Sequence, residues 1–267
     1  MTDLADRFEK LKSILRDAGS AAVAFSGGVD STFLLSVAKE VLGDKCLAIT
    51  ADSPVIPRHE MEAAVAFCKE HGIRQIVFDP NMLSDAVIRS NPADRCYHCK
   101  KAIFGKMNEL AKENGAAYLF DGTNKDDEGD YRPGMKALDE LGVRSPLREA
   151  GLTKSDIRGL SKETGLDTWD MPSFACLATR IPYGQEITPE LLAKIEKAET
   201  VLREAGFKQY RVRAHGDLAR IEVALSDMNR LSEMRSLISE GIRNAGFRYV
   251  TVDLEGYRTG SMNDVLS

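Results

Sequence analysis

The sequence lacks several features that define large classes of proteins. No apolar run among its 267 residues approaches the ~18 residues that a membrane-spanning helix needs. Residues 1–19 carry apolar side chains at helical spacing between charged ones, which indicates an amphipathic helix rather than a secretory signal. No fixed-period repeat or low-complexity stretch is visible. We therefore expect a globular cytoplasmic protein with no membrane partner.

An excess of positive charge is also lacking. The chain has 36 Lys and Arg residues against 41 Asp and Glu residues, a formal net charge of −5. A protein that binds nucleic acid usually presents a broad basic surface to the phosphate backbone. The composition therefore disfavours nucleic acid as a partner, although it leaves room for a local basic pocket.

Cysteine is scarce, and the count of five is odd. Without a secretion signal this composition argues against a disulfide framework. Cys46 opens the apolar segment CLAIT and Cys68 lies on the apolar face of a predicted helix, so we expect both in the core. Cys96, Cys99 and Cys176 remain for chemistry.

The order of predicted elements indicates two domains. Short apolar strands alternate with amphipathic helices over most of residues 1–180, which predicts an α/β domain with a parallel sheet. One of these helices is expected over residues 101–115, directly after the segment that carries Cys96 and Cys99. Such sheets bind nucleotides at the carboxyl ends of their strands. Residues 181–267 follow another order, in which a helix opened by Thr188-Pro189 precedes a hairpin turning at Gly216-Asp217. One helix over residues 228–247 and a strand come last. This order predicts a smaller α+β domain for substrate binding and oligomerisation.

A glycine turn between the first strand and its helix is the strongest local signal. The segment SGGVDS (26–31) contains Gly27 and Gly28, whose missing side chains allow an anion to approach backbone N–H groups at a helix start. Ser26 and Ser31 offer hydroxyl groups, and Asp30 offers a carboxylate for Mg²⁺. A Walker loop is excluded because no GK[ST] is present. The alternative is a tight turn in which Ser31 only caps the helix.

This loop resembles the pyrophosphate loop of the PP-loop ATPases, which cleave ATP to AMP and pyrophosphate. The segment DGTNKDD (121–127) resembles the second motif of that superfamily, which would place Gly122 and Asn124 at the nucleotide. Asp52, at the end of the second predicted strand, falls where such proteins receive adenosine. The resemblance implies ATP and Mg²⁺ as cofactors. DGTN could equally be a simple turn.

Three interpretations compete for the remaining thiols. A zinc site would add His98 or His215 to the three cysteines. A redox interpretation would pair Cys96 with Cys99, although no thioredoxin-like context is present. A [4Fe–4S] cluster held by three cysteines would leave one iron open to an exogenous ligand, and hydrosulfide is the obvious candidate beside an ATP-activating loop.

The motifs taken together resemble one family. The order SGGVDS, RCYHCK, DGTNKDD, SFACLATRIPYG and RVRAHGDLARIEV is similar to the LarE family of ATP-dependent sulfur transferases over essentially the whole chain. The resemblance implies adenylation of a carboxylate of pyridinium-3,5-biscarboxylic acid mononucleotide, followed by conversion to a thiocarboxylate for the nickel-pincer nucleotide of lactate racemase. It also implies a homo-oligomer, with hexamers known in the family.

The family resemblance also bears on the sulfur source. Some members use the cysteine that matches Cys176 once, as a sacrificial donor, and lack the CxxC pair. Because Cys96 and Cys99 are present, the sequence resembles the branch in which three cysteines hold a [4Fe–4S] cluster that delivers sulfide. We therefore expect Cys96, Cys99 and Cys176 to be metal ligands.

Arginine residues complete the predicted site. Arg211 and Arg213 alternate on one predicted strand and so point to the same face. They form either a solvated edge strand or a clamp for the phosphate of a mononucleotide. Arg180 would assist catalysis by holding a carboxylate or the AMP phosphate. Glu199 and Glu222 would serve a cation or assembly.

Three other functions share parts of this pattern. A PP-loop tRNA thiolase can also use three cysteines and a cluster, but it would need a basic groove. A zinc-stabilised nucleotide-binding module would have no catalytic activity. An ammonia-using ligase would share the ATP loop and would not need the three thiols.

Overall fold

The computed structural model describes residues 3–127, 133–172, 175–258 and 260–261. Over these residues the backbone separates into two compact units. The first unit comprises Met1–Ser53, Arg58–Met82 and Asp94–Phe174, and the second comprises Pro54–Pro57, Leu83–Ala93 and Ala175–Ser267. The domain boundary at residue 180 remains a prediction.

The regular elements follow the chain in this order. The strands are β1 (Ala21–Ala24), β2 (Cys46–Ala51), β3 (Arg74–Phe78), β4 (Tyr118–Phe120), β5 (Tyr210–His215), β6 (Leu218–Val223) and β7 (Tyr249–Val252). The helices are α1 (Leu4–Ala18), α2 (Val29–Leu42), α3 (Arg58–Glu70), α4 (Ala86–Arg89), α5 (Arg95–Glu113), α6 (Pro133–Glu140), α7 (Pro146–Ala150), α8 (Lys154–Glu163), α9 (Pro189–Glu204), α10 (Met228–Glu233) and α11 (Arg235–Asn244). None of the helices in the described ranges is long and apolar enough to cross a membrane.

The first unit is built on a parallel sheet with strand order β3-β2-β1-β4. Side chains of a strand alternate between its two faces, and β1 shows the consequence. Ala21 and Val23 belong to an apolar cluster with residues of α1 and α2, whereas Ala22 belongs to a second cluster with residues of α5. Helices therefore cover both faces of the sheet, and the predicted α/β class is confirmed.

The second unit has a three-stranded sheet of order β5-β6-β7. β5 and β6 form the predicted antiparallel hairpin, with Gly216 at a φ of 60° in the turn, and β7 pairs in parallel with β6. α9 begins as predicted, because the Thr188 hydroxyl accepts a hydrogen bond from the Leu191 N–H and Pro189 occupies the first helical position. The small α+β unit is confirmed.

Two predicted element boundaries were wrong. The sequence prediction starts a helix at Lys101, but α5 begins at Arg95, so Cys96 and Cys99 lie in the first two helical turns rather than in a loop. The segment from Met228 to Phe247 was predicted as one helix. It divides at Met234 into α10 and α11.

Candidate functional site

The loop between β1 and α2 is a tight glycine turn at a helix start that has no side-chain cap. Gly27 has a φ of 76°, and a Cβ atom there would lie 3.3 Å from the Cβ of Ala64. Gly28 is the residue before the first turn of α2 and carries no side chain that could cap it. The N–H groups of that turn therefore face the loop without a side-chain partner from Gly28.

Two hydroxyl groups close this loop upon itself. The Oγ atoms of Ser26 and Ser31 are 3.1 Å apart, and the Ser31 hydroxyl donates to the Gly28 carbonyl at 3.1 Å. Ser31 is thus more than a solvent-exposed helix cap, because its side chain holds both ends of the glycine turn. The roles of Ser26 and Ser31 in binding phosphate remain predictions.

The second motif lies against the first. Residues 121–124 follow β4, and a Cβ atom on Gly122 would lie 3.0 Å from the backbone nitrogen of Ser31. Asp121 is buried and fixes the motif by accepting hydrogen bonds from the hydroxyls of Ser145, at 2.6 Å, and Thr123. A side chain on Gly122 would crowd the start of α2, so the two loops lie in close contact here.

Asp30 is held by two residues that are distant in sequence. Asn124 Nδ2 approaches its Oδ1 atom at 3.4 Å, and Lys154 Nζ lies 2.5 Å from its Oδ2 atom. Asn124 was predicted at the site, and the structure brings it to the phosphate loop. Lys154 was missed, since no local motif connects it with a loop 124 residues earlier.

Asp52 lies at the carboxyl end of β2, where its N–H continues the sheet by donating to the Phe78 carbonyl. Its carboxylate accepts a hydrogen bond from Arg58 at 2.7 Å. Ser53 beside it is buried. The position agrees with the expected edge of the sheet, while contact with adenosine remains a prediction.

The five thiols divide into two groups. Cys46 and Cys68 are buried as predicted, and desolvation raises the pKa of each thiol to about 12. Cys96 is exposed, and Cys99 and Cys176 are partly exposed. Only the latter three are therefore accessible for chemistry.

The accessible thiols come from both units. Cys96 and Cys99 lie on α5 in the first unit, with Arg95 Nη2 3.9 Å from the Cys96 sulfur. Cys176 lies in the second unit and precedes a short helical turn, Leu177–Arg180. Ser173 and Phe174 of the same motif are outside the described residues. Within the described parts of the chain, no three His, Cys, Asp or Glu side chains are grouped as a metal site would require.

His98 and His215, the two histidines considered as zinc ligands, lie beside charged side chains. His98 Nε2 lies 3.2 Å from the Asp94 carboxylate. Burial and the nearby positive charges of Arg220 and Arg213 lower the pKa of His215.

Arg180 organises the turn that carries Cys176. Its guanidinium forms a two-point ion pair with Glu199 at 2.8 and 2.9 Å. Nη1 donates to the carbonyls of Ala175 and Cys176. Through these contacts Arg180 positions the thiol-bearing turn, while its predicted contact with a carboxylate or the AMP phosphate remains a prediction.

The arginines of β5 are buried, and the solvated-edge interpretation is wrong. Arg211 is 2% exposed and Arg213 is 7% exposed. Arg213 pairs with Glu222 at 2.9 and 2.8 Å, while Arg211 lies over the ring of Tyr257. Desolvation, followed by the charge of Arg180, lowers the pKa of Arg211.

Opposite charges pair within this buried cluster. The guanidinium groups of Arg180 and Arg213 are bonded to the carboxylates of Glu199 and Glu222, and Arg220 also donates to Glu222. Guanidinium groups are donors that proteins commonly use for carboxylate and phosphate. Contact of these arginines with a substrate phosphate or carboxylate remains a prediction.

Comparisons with known proteins agree with this geometry. Residues 4–120 match the family model described as NAD synthase. The pyridinium-3,5-bisthiocarboxylic acid mononucleotide synthase of Lactiplantibacillus plantarum is 39% identical over 268 residues, which cover 100% of this chain and 97% of the relative. An uncharacterised protein of Synechocystis is 41% identical over 99% of both chains.

A more distant relative shares part of the chain. A subunit of the glutamine-hydrolysing GMP synthase of Thermoplasma volcanium is 29% identical over 70% of this chain and 65% of its own length. The full-length similarity to the Lactiplantibacillus synthase, together with the paired ATP loops, is the more informative match. The chain therefore belongs to the LarE family of PP-loop enzymes, the ATP-dependent sulfur transferases.

Proposed function

We propose that this enzyme uses ATP to activate a carboxylate of pyridinium-3,5-biscarboxylic acid mononucleotide and converts it to a thiocarboxylate, a step in making the nickel-pincer nucleotide. The name of the Lactiplantibacillus relative, a synthase of the bisthiocarboxylic acid mononucleotide, supports this substrate. The observation that carries the proposal is the close approach of Gly122 to Ser31, which supports one nucleotide site formed by both motifs.

The activation step follows from the loop geometry. A carboxylate is a poor electrophile because expulsion of oxide is prohibitive, and adenylation turns that oxygen into part of a good leaving group. The substrate oxygen forms a bond to the α-phosphorus of ATP while the bond to pyrophosphate breaks. N–H groups at the start of α2 would hold phosphate oxygens, and Asp30 would hold Mg²⁺.

For the sulfur source we propose a [4Fe–4S] cluster on Cys96, Cys99 and Cys176. The chemistry of the donor set fits, since these are the three accessible thiols of the chain. When bound, such a cluster would supply sulfide as the nucleophile that displaces AMP. Among the described residues the three thiols do not form a preassembled ligand group, so binding of the cluster would have to bring them together.

Single-use donation from Cys176 is the second candidate. Thr179 Oγ1 and Arg180 Nη1 both donate to the Cys176 carbonyl, so the thiol is carried on a fixed turn and is partly exposed. A sacrificial sulfur donor would also need a thiol that is held in place and exposed to the substrate. The two candidates differ in the fate of the sulfur atom and not in the activation step.

For the substrate we propose that the cluster of Arg180, Arg211 and Arg213 attracts its anionic groups. The burial of all three residues and the match between guanidinium and phosphate support this assignment. A guanidinium freed from its glutamate could grip phosphate at two points. We also propose a homo-oligomer, a hexamer by family analogy, which light scattering of purified protein would measure.

The activation step is tested by its products. With the mononucleotide dicarboxylate, ATP and Mg²⁺, we expect AMP, pyrophosphate and a thiocarboxylate detected by mass spectrometry. Asp30→Asn should abolish AMP formation, whereas Asp44→Asn, at an exposed position after the same helix, should leave it unchanged. Cys176→Ser should form AMP but no thiocarboxylate.

Other results would contradict the proposal. The proposed substrate would be wrong if the wild-type enzyme formed no AMP with it. Thiolation of tRNA with affinity that falls steeply with salt would instead identify a tRNA thiolase.

A further inference from the structure

Asn91 is a buried polar residue to which the activation and sulfur-transfer steps assign no role. The residue is fully buried, and its backbone has a φ of 55°, in the left-handed region that few residues other than glycine adopt. Asparagine tolerates this conformation better than most residues, because its side chain is short and polar. Such a backbone persists only where the contacts around it hold it in place.

The side-chain amide of Asn91 holds the segment that follows Cys176. An amide nitrogen has two protons to donate, and Nδ2 of Asn91 donates to the carbonyls of Ile181, at 3.2 Å, and Pro182, at 2.8 Å. The backbone carbonyl of Asn91 accepts a hydrogen bond from the Gly184 N–H at 2.9 Å. Three hydrogen bonds therefore attach this segment to one asparagine.

Neighbouring contacts support the attachment. The Ile187 N–H donates to the Arg89 carbonyl at 2.8 Å. On the other side of the segment, beside the thiol, the Leu177 N–H donates to the Val55 carbonyl at 2.8 Å. All of these residues belong to the second unit. The turn that carries the thiol thus has hydrogen-bonded backbone both within it and after it.

Asn91 also begins the segment that leads to the other two accessible thiols. Cys96 follows Asn91 by five residues, and Cys176 precedes Ile181 by five residues. Five residues of fully extended chain span at most about 18 Å. The hydrogen bond between Asn91 and Ile181 is therefore a common point from which the chain reaches both thiol-bearing segments within a short length.

We propose that Asn91 is a positioning residue for the thiols. It fixes the segment of Cys176 and the start of the segment of Cys96, so that the thiols can be brought together on one cluster. This inference rests on the proposed function, in which Cys96, Cys99 and Cys176 hold a [4Fe–4S] cluster. Asn91 acts through the carbonyls that it binds, and so determines where the thiols lie rather than their chemistry.

Replacement by glycine separates the side chain of Asn91 from its backbone. Asn91→Gly places there a residue that adopts a positive φ without strain, and it removes the amide. In metal-free protein kept anaerobic, we expect a short bismaleimide to cross-link Cys176 with Cys96 or Cys99. The yield of the cross-linked peptide, measured by mass spectrometry, should fall about tenfold in Asn91→Gly, as expected for the loss of two hydrogen bonds.

The exposed residue Asn81 provides the matched control. It also has a positive φ, of 47°, and Asn81→Gly should give the wild-type yield. The buried thiols Cys46 and Cys68 should stay unmodified in the same samples, and their modification identifies loss of folding. Asn91→Asp is the second variant, because it keeps the shape of the side chain and replaces the donor with an oxygen. It should also lower the yield.

The outcomes separate this inference from the proposed function. A wild-type yield in a folded Asn91→Gly or Asn91→Asp protein would overturn the inference, as would an equal loss in Asn81→Gly. Lack of the cross-link in the wild type would also overturn it. If the yields follow the expected pattern and the reconstituted wild type binds no iron, the proposed sulfur source fails and the role of Asn91 stands.

Discussion

At the scale of single residues, burial separates the unreactive cysteines of this enzyme from the accessible ones. Burial raises the pKa of Cys46 and Cys68 to about 12, so at about pH 8 only about one in ten thousand of these thiols is ionised. We expect iodoacetamide to label Cys96, Cys99 and Cys176 in the native protein. Cys46 and Cys68 should react only after unfolding. Peptide mass spectrometry measures both sets, and early labelling of Cys68 would contradict the assigned core.

Burial also decides what an ion pair contributes. The Glu222 side chain is fully buried and accepts hydrogen bonds from Arg213 and Arg220. Glu222→Gln leaves buried guanidinium charge without its counter-charge, and we expect it to lower the free energy of unfolding by about 3–5 kcal/mol. Urea denaturation gives the value.

A less buried pair provides the comparison. Arg144 and Glu149 form a similar two-point contact with about a third of each side chain exposed. Glu149→Gln should cost under about 1 kcal/mol, because solvent screens the charge that remains. Equal costs for the two substitutions would show that burial does not control these pairs.

At the scale of elements, the contact between the two nucleotide loops is the most specific feature. A methyl group at Gly122 would lie 3.0 Å from the Ser31 nitrogen, which is tighter than ordinary packing, so we expect Gly122→Ala to shift the neighbouring loop by a few tenths of an ångström. We expect a loss of about 1–3 kcal/mol in stability, together with weaker ATP binding. Gly159 in α8 has open space around it, and Gly159→Ala should instead stabilise the protein by about 0.5–1 kcal/mol. Tight ATP binding by Gly122→Ala would contradict the loop contact.

The regular elements were largely predictable because their signals are local. A few neighbouring residues are enough to predict strand β1, its glycine turn and the Thr188 cap of α9. The first turn of α5 was missed because Cys, Tyr and His are weak helix formers, and contacts elsewhere stabilise it: Tyr97 donates to Glu140 at 2.8 Å. The break at Met234 has neither proline nor glycine beside it, so nothing local marked it.

At the scale of the whole molecule, the sequence predicts which chemical groups exist but not how they pair. The glycine loops and accessible thiols follow from motifs. The partners of Asp30 and Arg180 lie 124 and 19 residues away and depend on how the chain folds. The spacing of two residues places Arg211 and Arg213 on one face of a strand, yet only the structure shows that both side chains are buried.

The central claim is that sulfur reaches the activated carboxylate without consuming the protein. The most direct measurement combines anaerobic reconstitution with iron and sulfide, turnover with ATP and the dicarboxylate mononucleotide, and mass analysis of the peptide that carries Cys176. We predict about four irons per chain, more than one product per chain and an unchanged Cys176 thiol. Product that stops at one per chain, with Cys176 lighter by the mass of hydrogen sulfide, would contradict the account and establish single-use donation.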